Sequence, residues 1–288
     1  MKRITVLATL IVIGAACIAA QQGAQPQTLE IEKVKDNLFM IKNGGGNTGV
    51  FVTQYGVVIV DTKNPNYGAS ILEKIRSVTD KPVTMIINTH THGDHTGSNA
   101  EFPATVDIIA QDNTKANMEK MDAFKGDKAQ FLPKRTFKDK MTLLSGADQI
   151  DLYYFGPGHT SGDALIVFPA LRVMHAGDLF AWKALPIMDR NNGGSGIAYP
   201  ETLQKAAGAI KNVDSVIPGH SPVMPWSTFV EYGQFMQWAV DTVKQAARDG
   251  KTEADAAAAI KTPPDRFKDY TTERAAANVT AIYGEVKK

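Results

Sequence analysis

The sequence predicts an α/β domain whose functional groups stand where its strands end. Three observations carry that prediction. Short β-branched apolar runs such as Pro82-Val83-Thr84-Met85-Ile86-Ile87-Asn88 read as buried strands. Segments of helical apolar spacing lie between such runs, the first over residues 67–76. A chain of 288 residues, 43% of them hydrophobic, can fill one large core or the space between two packed sheets, and no internal repeat divides it.

Taken in order, the N-terminus comes first. Lys2 and Arg3 precede an apolar stretch from Ile4 to Ala16 and small residues at Ala19 and Ala20. A basic start, a short apolar run and a small-residue exit describe a secretory signal peptide over residues 1–20, cleaved near Ala19 or Ala20. A flexible tail over 21–27 then leads into a domain over 28–288. The apolar run is short for a membrane span, which needs ~20 residues, so no stable span is expected after processing. Cys17 follows Gly14-Ala15-Ala16, and glycine stands where a lipoprotein signal carries an aliphatic residue, so lipid attachment is not expected. The destination is periplasmic or secreted. Cys17 is the single cysteine, so no intrachain disulfide can form, and stability must come from the core and from any bound metal. Losing Lys2 and Arg3 takes the formal charge from +1 to −1, which gives no overall attraction for nucleic acid.

The strand at 82–88 runs into Asn88-Thr89-His90-Thr91-His92-Gly93-Asp94-His95-Thr96-Gly97, which holds three of the six histidines. In extended chain alternate residues face the same way, so His90 and His92 point together. A turn at Gly93 can bring Asp94 and His95 to a second centre. Imidazole nitrogens and carboxylate oxygens are the donors that a borderline metal such as Zn²⁺ selects. Beyond this loop, Asp112-Asn113-Thr114 is expected to cap a helix running through Ala116, Met118 and Met121. The lysine-rich stretch 124–140 reads either as a mobile loop near the site or as a solvated connection.

Three further apolar strands end in glycine and a ligand type: Gly156-Pro157-Gly158-His159, His175-Ala176-Gly177-Asp178 and Pro218-Gly219-His220. Glycine permits the sharp turn and the close backbone approach that a metal demands. His175 lies inside its strand and reads as a packed histidine, or one that supports a ligand from behind. Phe180 and Trp182 could wall an apolar pocket, while Lys183 or Arg190 could pair with a substrate carboxylate. Pro200 opens a helix, residues 227–248 form a longer one with Phe229, Phe235, Trp238, Ala239 and Val243 on its apolar side, and the alanine-rich tail from Thr252 is helical by propensity.

His-x-His-x-Asp-His, then Gly-His-Thr, Gly-Asp and Pro-Gly-His in that order resemble the metallo-β-lactamase superfamily. The resemblance extends upstream to Gly44-Gly45-Gly46-Asn47-Thr48-Gly49-Val50-Phe51-Val52 and Gly56-Val57-Val58-Ile59-Val60-Asp61-Thr62, and covers about residues 28–248. It implies a four-layer αβ/βα sandwich: two mixed β-sheets face to face, helices outside and metals at one edge. It further implies that His90, His92 and His159 bind one metal and Asp94, His95 and His220 a second. Asp178 would bridge them as in glyoxalase II-like members, with Asp61 beneath as a support. Two Zn²⁺ per chain would then activate a water, with Asp94 orienting it, for hydrolysis of an ester, lactone, thioester or amide bond, β-lactams included. Asp178 tilts the reading towards a hydrolase other than a lactamase. With no cysteine left after processing, the subclass that uses a thiolate ligand is excluded. His92 stands where the two-iron electron-transfer members carry Glu. The alternatives are a mononuclear iron dioxygenase of the same fold, acting on a persulfide, and a non-catalytic metal-binding periplasmic protein. Oligomeric state is not legible.

Overall fold

A computed structural model of the chain describes residues 27–286. The expected signal segment and Cys17 lie outside the described residues. Among the described residues thirteen strands form two sheets. The first runs in the order β1 (Glu30–Lys35), β2 (Leu38–Lys42), β3 (Thr48–Val52), β4 (Val57–Val60), β5 (Val83–Ile87), β6 (Asp107–Gln111), β7 (Arg135–Phe137). It is antiparallel as far as β4 and parallel from β4 to β7. The second runs β13 (Met224–Pro225), β12 (Ser215–Pro218), β11 (Val173–Gly177), β10 (Leu165–Phe168), β9 (Ile150–Tyr153), β8 (Lys140–Leu143). Both sheets are mixed, as the resemblance implied.

The two-residue period of the strands explains why the sheets stack. Along β4, Val58 and Val60 face the second sheet while Val57 and Ile59 face outward to helix α1 (Gly68–Arg76). Along β10, Ile166 and Phe168 fill the space between the sheets, and Leu165 and Val167 face the opposite helical layer. Both faces of each central strand are therefore apolar, which makes the runs continuous in hydrophobicity.

The second helical layer consists of α4 (Tyr199–Ala209), α5 (Trp226–Arg248), α6 (Glu253–Lys261) and α7 (Ala275–Val286). In α5 the buried residues Phe229, Tyr232, Phe235, Met236, Ala239, Val240 and Val243 recur at helical spacing along one side. Trp238 is only partly buried and packs on Phe235 and Phe267 at the edge of that core. The tail forms α6, whose capping box pairs Thr252 with Asp255, and then α7. Among the described residues no helix is long and apolar enough to cross a membrane.

Two local expectations are corrected. In the helix after β6, α3 (Asp112–Met118), the expected capping run 112–114 lies inside the helix, because the Gln111 side chain accepts the Asn113 amide and does the capping. The helix also ends at Met118, with Met121 in a turn beyond it. Residues 124–140 are more than a loop: a 3₁₀ segment (Gly126–Phe131) and strand β7 occupy them.

Topology places the site. β9 and β11 are both antiparallel to β10, and β12 is parallel to β11, so all three end at the same rim. Asp61 follows β4, and the histidine-rich loop follows β5. His159 comes after β9, Asp178 after β11 and His220 after β12. Carboxyl ends of strands are where open α/β sheets place their ligands.

Candidate metal centre

The structure brings seven of the predicted side chains together. One donor atom each from His90, His92, His159 and Asp178 lies within 4.8 Å of the others, and the same holds for Asp94, His95 and His220. The histidine-rich loop makes this possible by changing direction. His92 is extended, with φ −64° and ψ 147°, and caps the single helical turn α2 (Gly93–Thr96). The turn carries Asp94 and His95 away from His90 and His92 to the second group.

The far side of four of these rings is held by a hydrogen-bond acceptor, and that fixes which nitrogen faces inward. His159 Nδ1 donates to the Ile187 carbonyl at 2.8 Å, and His92 Nε2 to Asp189 Oδ2 at 2.7 Å. His95 Nδ1 donates to Asp61 Oδ2 at 2.7 Å. The Thr89 hydroxyl gives its own hydrogen to Asp61 Oδ2, so at 2.9 Å it accepts from His90 Nδ1. A ring that carries only its outward proton turns a lone pair inward: at His90 Nε2, His92 Nδ1 and His159 Nε2, and at His95 Nε2 once its second proton is displaced. His92 Nδ1 and His159 Nε2 stand 2.9 Å apart. Two lone pairs at that separation repel unless a cation sits between them. His90 Nε2 and Asp178 Oδ1 are buried with no hydrogen-bond partner, although Asp178 Oδ1 is 3.3 Å from both His95 Nε2 and His220 Nε2. Orphaned buried polar atoms are costly, and a metal is the occupant that would satisfy this set.

The electrostatics divide the centre. Burial drives His90 well below the usual imidazole range and His159 down to about 4, so both rings are neutral at pH 7. At His95 burial opposes charge, but Asp178 and Asp61 overcome it and raise the ring. His220, also opposed by burial, is raised to about 9 by Asp178 and Asp94. Burial pushes the other way on Asp178 and Asp94, yet the neighbouring histidines hold both below the usual carboxylate range. A cation entering the Asp94, His95 and His220 side therefore displaces protons.

Two glycines permit the approach. A Cβ on Gly219 would lie 1.9 Å from Asp178 Oδ1, and one on Gly46 would lie 2.2 Å from the His95 ring. The chain below is strained: Asp61 and Lys63 both hold positive φ, 66° and 63°, without being glycine. That bend aims Asp61 at Thr89 and His95, while the buried Lys63 ammonium donates to the Ile41 and Gly46 carbonyls.

The remaining predicted residues fall in several places. His175 is buried; its Nε2 donates to the Asn47 carbonyl and its Nδ1 accepts the Gly177 amide, so it braces the chain just before Asp178. Trp182 is partly exposed and meets the His220 ring edge-on at 5.5 Å, at the rim of the centre. The expectation for Phe180 is corrected: it is fully buried against Phe229 and Tyr232 in the helical core and presents no surface to solvent. Lys183 and Arg190 are corrected as free substrate clamps. Lys183 lies near Glu231 and Asp269 and over the Tyr270 ring, and Arg190 pairs with Glu285. The sequence reading missed Asp189 as the partner of His92. Its only local signal is an aspartate two and three residues before Asn191 and Asn192, whose amides it caps.

A sequence model described as the metallo-beta-lactamase superfamily matches residues 41–220, and the chain belongs to that superfamily. A metallo-beta-lactamase type 2 from Elizabethkingia meningoseptica is 28% identical over 227 residues, 69% of this chain and 81% of that protein. Among solved structures, a metallo-beta-lactamase from Pontibacter korlensis superposes with a TM-score of 0.63 at 20% identity, covering 73% of this chain and 99% of that one. A stereoselective inverting sec-alkylsulfatase from Pseudomonas sp. superposes with a TM-score of 0.73 at 13% identity, covering 89% of this chain and 50% of that one. The structural likenesses fix the fold, which is the metallo-β-lactamase α/β sandwich.

Proposed function

We propose that the protein is an exported metal-dependent hydrolase with a two-cation centre. His90, His92 and His159 would hold one ion, Asp94, His95 and His220 the other, and Asp178 would lie between them. One observation carries this reading: the His92 and His159 rings, already committed to donating on their far side, turn nitrogens towards one another 2.9 Å apart beside the buried, unpartnered His90 Nε2. The donor set is imidazole and carboxylate with no thiolate, which suits Zn²⁺. When bound, such a pair supplies Lewis acidity and lowers the pKa of a water from ~15.7 towards ~7.

The chain's own groups do the rest. Asp61, Thr89, Asp189 and the Ile187 carbonyl fix the ring orientations and so remove reorganisation from the reaction. Asp94 lies 3.2 Å from His220 and keeps a third of its side chain exposed, so it can take a proton from an incoming water and return it to a leaving group. Trp182 forms an apolar wall beside His220. The substrate class that suits this arrangement is a small molecule with an ester, lactone, thioester or amide bond. The named relatives include both β-lactamases and a sulfatase, so the fold alone does not select the bond. Export rests on the leader-like N-terminus, and the near-neutral charge speaks against a nucleic-acid substrate.

The test is a hydrolysis screen across nitrocefin, lactones, aryl esters and thioesters, with His92→Ala and Asp94→Ala as controls. Turnover of at least one substrate, lost by 10²-fold or more in both variants, is expected. Full activity in either variant would remove the assignment. One iron per chain with oxygen consumption and no hydrolysis would move the protein to oxygenase chemistry.

A further inference from the structure

The C-terminal helices lie beyond the family match, which ends at residue 220, and the function proposed above gives them no task. Yet α7 reaches back to the site through one side chain. Glu285 Oε2 accepts the Ser195 hydroxyl at 2.5 Å, its Oε1 accepts the Gly196 amide at 2.8 Å, and the Arg190 guanidinium closes on the same carboxylate. The carboxylate is largely buried, its side chain 14% exposed. It thus ties both ends of the 190–196 turn to one point on the last helix.

That turn grips the metal centre from its other side. Asp189 accepts His92 Nε2 through Oδ2, and the same oxygen takes the Asn192 amide group at 2.6 Å. The Asp189 backbone amide donates to the His159 carbonyl, and the Ser195 amide to the Gly158 carbonyl. His159 Nδ1 donates to Ile187, whose neighbour Pro186 is fixed by Asn278 of α7 at 2.8 Å. The outer partners of two of the three ligands in the first set therefore belong to one loop, and α7 anchors that loop at Pro186, Arg190, Ser195 and Gly196.

We infer that Glu285 is a positioning residue for the first metal: it holds the 186–196 loop in the shape that lets Asp189 fix His92. The inference rests on the metal-site reading above. It makes the C-terminal helices part of the centre's scaffold, acting at a distance through a loop that the ligands already touch. A residue that orients a ligand's partner changes metal affinity with no contact to the metal, and loss of such partners weakens binding by ~10–100-fold.

The experiment is a zinc competition titration on the full chain with a chromophoric chelator, backed by the visible spectrum of the cobalt(II)-loaded protein. Glu285→Ala should weaken one of two zinc affinities by about 10-fold, leave the other unchanged, and shift the cobalt bands. Asp189→Asn should weaken the same affinity, and adding Glu285→Ala to it should bring no further loss, since both act through one contact. Unchanged affinities in Glu285→Ala, with only a lower melting temperature, would overturn the inference, as would multiplicative effects in the double variant. Should the alanine variant not fold, Glu285→Gln keeps the size and loses the charge that Arg190 pairs with. A weakened single affinity there supports the inference, and two unchanged affinities overturn it. A wild type that binds no zinc would overturn the proposed function itself, which separates the two failures.

Discussion

Gly219 shows how little room the centre leaves, because any side chain there would collide with Asp178 Oδ1. Gly219→Ala should reduce bound metal by at least one equivalent while the far-ultraviolet circular dichroism stays unchanged; metal analysis checks this. His175 offers a second residue-scale test. Burial lowers its ring from 6.5 to about 4, so the folded chain keeps it neutral where the unfolded chain would protonate it. Its contribution is fully present above pH 6.5, is lost as pH falls from 6.5 to about 4, and changes no further below that. The shift corresponds to about 3 kcal/mol. Asp163 runs the other way, since burial raises its carboxyl to about 7 and its contribution declines as pH rises from about 4 to 7. Comparing wild type with His175→Asn cancels Asp163. The variant's urea midpoint should fall less steeply between pH 6.5 and 4 than that of the wild type, and parallel curves would remove the role given to His175.

At the scale of elements, α5 carries the helical side of the fold. Phe235 is fully buried among Tyr232, Trp238, Phe267 and Tyr270, so it joins α5 to the segment that leads into α7. Phe235→Ala should cost about 3–5 kcal/mol in urea unfolding, and a loss under 1 kcal/mol would contradict that packing. The elements most legible in the sequence were those with a strong period. The strand at 82–88, the helix at 67–76 and the apolar side of residues 227–248 all stand near their expected places. The cap of α3 was misplaced because it is a glutamine, an unusual capping residue beside an obvious Asp-Asn-Thr run. Strand β7 was hidden in a lysine-rich stretch because only Phe137 of its three residues is buried, too short a run to show alternation.

For the whole molecule, ligand types at the ends of successive strands were visible in sequence because glycine and histidine mark each rim position locally. The groups that orient those side chains were not. Asp189 meets His92 across 97 residues, and Glu285 meets Ser195 across 90, with no local period to announce either. The two sheets and their helices make a core that needs no disulfide, and the histidine and aspartate cluster sits at the edge where both sheets contribute. Metal removal should therefore destabilise the chain without dissolving it. A bound ion stabilises by about 2.7 kcal/mol when present at a hundred times its dissociation constant, so chelation should lower the melting temperature by several degrees and leave the secondary structure intact. The central claim is that seven side chains build one two-cation centre, and the most direct measurement is metal content per chain by plasma mass spectrometry for the wild type and Asp178→Ala. The account predicts two zinc equivalents in the wild type and at most one in the variant; no bound metal in the wild type, or the same content in both, would contradict it.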